Sequence, residues 1–206
     1  MGLSITVGAL ADMMKYDGEG AEWFRANLTK VNAILESEGL GTFVEPESVE
    51  LGNRCSMMSG SYSWLHYLRR AYAHHVNGRP VDAILGADNP TQDGLTMDET
   101  MMMSSHLLCH SDAEGFYAPV EFSEIIFDDS LPGAMMGSSY RLRSELAAVA
   151  PALGIELVDG MLSDAEAERL NKTAPGAVGE AELWSWLSHW EAARLSIEHS
   201  CMIVYN

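Results

Sequence analysis

The sequence predicts an α+β domain in which several amphipathic helices pack on a small, mainly antiparallel sheet. Three observations lead there. Apolar residues recur at helical spacing in several long segments. Short β-branched runs stand at the two ends and in the middle of the chain. Helices and strands do not alternate regularly, which disfavours a doubly wound parallel sheet. The 206 residues suit one domain with a substantial core.

The alternating run Leu3-Ser4-Ile5-Thr6-Val7 reads as a first strand. A helix over Ala9–Lys15 follows, stopped by Tyr16-Asp17-Gly18. Phe24, Leu28, Val31 and Leu35 are spaced by four, three and four, so a second helix covers about Glu19–Glu38 and ends at Gly39 and Gly41. Thr42–Leu51 is extended and acidic. The segment Gly60–Asn77 is a helix with Trp64, Leu65, Leu68, Tyr72 and Val76 inward. Residues 79–104 lose periodicity, carry Pro80 and Pro90, and are expected to be a long flexible loop. Leu107–His110 and Phe116–Phe122 are expected to form a hairpin through Ser111–Gly115, with Pro119 marking an edge strand. Ile125–Phe127 extends the sheet. Further helices are expected at about Ser138–Ala150, from the capping box Ser163-Asp164-Ala165-Glu166 to Asn171, and at about Glu180–Glu198. The last carries Leu183, Trp186, Leu187, Trp190, Ala193 and Ile197 on one face. That stripe packs on the core or on a second copy, so a homodimer is left open. Cys201–Tyr205 reads as a terminal strand.

Thirty acidic against twelve basic residues give a formal charge of −18. Such a field repels phosphate backbones and anionic membranes, so nucleic acid and membrane are both disfavoured as partners. A basic protein partner would be steered toward this surface. No apolar run spans a bilayer and no secretory signal is expected at the start, so a cytoplasmic protein is the simplest reading. Three widely spaced cysteines, Cys55, Cys109 and Cys201, read as buried free thiols.

Candidate chemistry concentrates in His106–Phe122. On a strand, His106 and His110 would share a face yet stand about 13 Å apart, with Cys109 on the other face. They would not close on one ion, and neither metal nor cofactor is expected. Ser111 beside His110 and Asp112 has triad residue types but no triad geometry. Asp112 is expected to serve its own turn. His110, Asp112 and Glu114 could still converge with His66 or Arg70 from the third helix, as acid–base groups of a small hydrolase or transferase. No dinucleotide fingerprint, phosphate loop, zinc-protease helix or nucleophile elbow is present.

The runs GLSITVGALAD, HSDAEGFYAPVEF, GSSYRLRSEL and EAARLSIEHS resemble a family of uncharacterised bacterial proteins of about this length. The resemblance covers most of the chain. It implies a single bacterial, soluble, intracellular domain and carries over no catalytic residue. Two readings stand. The favoured one is a non-enzymatic binding protein, in concrete form an acidic immunity-type protein neutralising a basic effector. The other is the hydrolase or transferase with its site at the 106–117 hairpin.

Overall fold

The computed structural model describes residues 2–206. Eight strands form in chain order: β1 (Gly2–Val7), β2 (Ser59–Ser61), β3 (Gly115–Ala118), β4 (Ile126–Phe127), β5 (Met135–Ser138), β6 (Leu157–Val158), β7 (Met161–Leu162) and β8 (Ile203–Tyr205). Six of them make one sheet in the order β2-β1-β8-β3-β5-β4, and β6 pairs with β7 alone. Only β3 and β5 run parallel within the large sheet; its other neighbours are antiparallel. The terminal run thus enters the same sheet as the first strand, in its middle.

The helices are α1 (Ala9–Tyr16), α2 (Gly18–Ser37), α3 (Tyr62–Val76), α4 (Gly94–Met101), α5 (His106–Cys109), α6 (Ser139–Val149), α7 (Asp164–Asn171) and α8 (Glu180–His199). The period-two alternation of the strands assigns each sheet face to one helical layer. Leu3, Ile5, Val7, Tyr117, Ile203 and Tyr205 point into the larger core under α3, α6 and α8. Phe116, Ala118, Met136, Met202 and Val204 point the other way, onto Ala21, Phe24, Val31 and Leu35 of α2. The fold is α+β with the sheet between two helical layers.

The tryptophan stripe of α8 lies inside the chain. Trp186 and Trp190 stack at 4.9 Å, both are fully buried, and the Trp186 indole donates to the Leu146 carbonyl of α6. All three cysteines are buried and free. Burial pushes the Cys201 thiol up to about 12.

The central hairpin does not form. Residues 106–109 coil into α5, and β3 pairs with β5 and β8. The cause lies forty residues away. The Glu145 carboxylate accepts the His106 and Leu107 N–H groups, and Ser105 Oγ accepts Leu108 N–H, so a helical turn has its first donors satisfied. Pro119 does not mark an edge. β3 is an interior strand that ends at Ala118, where the next residue has no N–H for the ladder. Within 79–104, where a loop is expected, Gly94–Met101 is helical, capped by Asp93, which accepts Thr96 N–H.

Candidate functional site

The residues singled out by the sequence scatter into different roles. His110 is buried and stacks on Tyr117 at 4.1 Å. Its ring nitrogens face the Ser111 and Phe116 carbonyls at 2.9 and 3.0 Å. Burial pushes its pKa down to about 4, so it is a neutral core group with no face open to a substrate. Arg70 is also buried. It donates to the Ile84, Ala87 and Asp88 carbonyls and stands 4.0 Å from Glu182, which pins residues 84–88 against α3. Asp112 leaves its own turn to Ser111, whose hydroxyl accepts the Ala113 and Glu114 N–H groups. Its carboxylate meets His66 Nε2 at 2.9 Å instead. Glu114 is exposed.

His66 and Asp112 are thus the one pair of the candidate set that converges. Burial and the Arg69 charge hold the His66 pKa below its ordinary value, against the pull of Asp112. The imidazole is therefore neutral at pH 7 and does not cancel the carboxylate. His106 is occupied too: its Nδ1 accepts Ser138 N–H and its Nε2 donates to the Ser123 carbonyl. No group of three or more His, Cys, Asp or Glu that could hold a metal occurs among the described residues.

What the structure does assemble is a belt of carboxylates along the β4 edge of the sheet. It begins at the C-terminal end of α2, with exposed Glu36 and Glu38 and no basic residue in the last turn. Glu38 and Glu124 line one cavity of about 490 Å³ with residues 122–127. Glu121 adjoins it in sequence, and Asp128 and Asp129 follow β4. The turn of residues 128–134 closes through Asp128 N–H to the Ala134 carbonyl. There Gly133, at φ +70°, lies against the Glu114 backbone; a Cβ on it would stand 2.6 Å from the Glu114 oxygen. That close approach sets the 111–114 turn, with Asp112 and Glu114, beside the 128–134 turn. Lys30 reaches in, with Nζ 3.4 Å from the Ser130 carbonyl.

Most of the other basic residues are spent elsewhere. Arg54 and Arg194 both clasp the buried Glu191. Burial pushes the Glu191 carboxyl up, but the hydrogen bonds from these arginines prevail and hold it below its ordinary value. Arg69 donates to the Leu107 and His110 carbonyls. Arg25, Arg169 and Lys172 pair with Glu47, Glu166 and Glu168. This sequestration leaves the belt carboxylates facing solvent with little compensation.

The belt escaped the sequence reading, yet it has a signal there. No Lys or Arg occurs between Arg79 and Arg141. The same stretch holds Asp82, Asp88, Asp93, Asp98, Glu99, Asp112, Glu114, Glu121, Glu124, Asp128 and Asp129, eleven acids in all. Charges at a sheet edge also deter edge-to-edge pairing. That role does not call for acids on α2 and on the 111–114 turn as well.

A family model described as "Putative DNA-mimic protein" matches residues 1–205. No curated protein and no solved structure matches. The family match overturns the immunity-type reading: it implies mimicry of DNA toward proteins that bind DNA, not neutralisation of a basic effector. The partner class that the family implies is accordingly a DNA-binding protein, in place of a basic protein at large. The match lends no support to the hydrolase or transferase. No helix among the described residues is long and apolar enough to cross a membrane.

Proposed function

The chain belongs to this DNA-mimic family, and we propose that it covers the DNA-contact face of a DNA-binding protein with the carboxylate belt of the β4 edge. The observation that carries this reading is the belt itself. Glu38 of α2 and Glu124 line one cavity, Glu121, Asp128 and Asp129 flank that segment on either side of β4, and Gly133 sets the 111–114 turn beside the 128–134 turn, in a run of chain from 80 to 140 with no Lys or Arg.

Double-stranded DNA presents one negative charge per about 1.7 Å of its axis. A protein that binds it uses Arg and Lys side chains set to meet oxygen pairs. A carboxylate offers such an oxygen pair, and a sheet edge holds carboxylates in fixed relation without the flexibility of an acidic tail. The neutral His66 leaves the Asp112 end of the belt anionic. Association on this basis is fast and falls steeply with salt. A partner that works on DNA carries the further expectation of an intracellular protein.

The test is displacement. DNA-binding proteins from the source cells are loaded on immobilised double-stranded DNA at low salt, and the chain is added. The reading expects release of a distinct protein, lost when Glu121→Gln, Glu124→Gln, Asp128→Asn and Asp129→Asn are combined. Release of nothing beyond what polyglutamate of equal charge releases would refute it.

A further inference from the structure

The helix α4 has no buried residue. It is held by polar tethers: the Asp93 cap, the contact of His74 Nε2 with Asp93 at 3.1 Å, and Asn77 donating to Glu99. It presents Met97 and Met101, 56% and 77% exposed, with Met102 and Met103 behind them at 70% and 50%. One helical turn apart, Met97 and Met101 overhang an apolar groove of about 340 Å³ between α4, α3 and α5, with Pro90 and Leu108 on its walls. His66 lines the same groove and bonds Asp112, so the groove opens beside the end of the carboxylate belt. The Arg69 guanidinium at its floor is consumed by two backbone carbonyls.

We infer that this groove is the apolar anchor site of the same interface: it receives one large apolar side chain, aromatic or aliphatic, from the DNA-contact segment of the partner. The inference rests on the DNA-mimic reading and adds to it a specificity element that carboxylates alone lack. Charge selects the occupant. Asp112 stands at the groove through its contact with His66. The one cation of the lining, Arg69, is spent on backbone carbonyls, and the chain as a whole carries −18. A second copy, also at −18, would bring like charges together there. A DNA-contact segment brings the opposite sign. Methionine suits the wall, because its unbranched thioether repacks around whatever side chain enters. Interfaces gain most from such a central apolar anchor inside a polar rim.

The experiment uses two synthetic Lys/Arg-rich helical peptides of about twelve residues, roughly three turns, identical except for a central Phe or Ala. Binding is followed on the full chain through its amides and its methionine ε-methyl signals. The Phe peptide should shift the Met97 and Met101 methyls by ring current and bind at least about tenfold tighter than the Ala peptide, as burying a phenylalanine implies. Combining Met97→Gln with Met101→Gln, both at exposed positions, should abolish that preference. Equal affinities with unmoved methyls, while the belt amides shift, would overturn the anchor and leave the belt standing. Methyl shifts that appear on concentrating the chain alone would report a second copy and overturn it as well. No binding of either peptide at low salt would defeat the underlying reading and the anchor with it.

Discussion

Neutralising Glu36 and Glu38 should stabilise the fold while weakening the interface. Both acids sit at the C-terminal end of α2, Glu36 in the last turn and Glu38 at the cap, with no cation in that turn. The helix carries about half a negative charge at this end, so each carboxylate there is unfavourable by about 0.3–1 kcal/mol at low ionic strength. Glu124 across the shared cavity adds repulsion. Gln has nearly the helix propensity of Glu, so Glu36→Gln with Glu38→Gln changes charge and little else. The double variant should gain about 1 kcal/mol at low salt, raising Tm by about 2–4 °C for a chain of this size. In 1 M salt the Debye length falls to about 3 Å and the gain should shrink to a few tenths. The assay is thermal unfolding followed by circular dichroism at the two salt levels, with Glu156→Gln as an exposed control outside the belt. In the displacement experiment the same double variant should release less partner. A variant that is no more stable than the parent at low salt, or whose gain ignores salt, would refute the claim that these acids are held against the stability of their own helix.

Other consequences can be read from single side chains. Glu45 is buried, accepts Met202 N–H, and is pushed by burial from 4.5 up to about 7. Its folded value lies above its unfolded one, so stability is fully present below about 4.5 and falls as pH rises toward about 7. The loss is on the order of 3 kcal/mol; urea unfolding across pH 4.5–8 should show Glu45→Gln without this component, and a parallel pH profile for variant and parent would contradict it. Arg70→Met leaves the buried Glu182 without its cation and should destabilise by about 3–5 kcal/mol. Hydrogen exchange should then open residues 84–88 first, and protection there equal to the parent's would be the wrong result. Gly115 has φ +130°, and a Cβ there would stand 2.9 Å from His110 Cε1. Gly115→Ala should therefore lose at least about 1 kcal/mol of stability, seen as a lower denaturant midpoint at unchanged m, and an unchanged midpoint would show that β3 can start otherwise.

Much of the fold was legible because its signals are local. The strand at Leu3–Val7, the steps of four, three and four in α2, and the capping box of α7 each announce themselves within a few residues. The hairpin failed because its outcome is decided at a distance. Leu107–His110 is a short apolar run that a strand or a buried helical turn fits equally, and Glu145 supplies the acceptor that lets α5 form. His106 and His110 drew attention as metal or acid–base groups. Each instead spends its ring on backbone partners inside the core, which a residue type cannot reveal. Asp112, expected to serve its own turn, leaves that turn to the Ser111 hydroxyl and meets His66 from α3, a long-range contact that the local sequence does not announce. The belt itself is written in the sequence as an absence of cations from 80 to 140. A search for convergent motifs passes over it, because mimicry of a polyanion needs many weak, spread charges and no motif.

The most direct test of the account is mutual exclusion. The protein released from DNA is purified, and its affinity for the chain is measured at increasing concentrations of double-stranded DNA. The account predicts that the apparent Kd rises in proportion to DNA once DNA exceeds its own Kd, with no ternary complex. An affinity indifferent to DNA, with chain, partner and DNA migrating together, would contradict it.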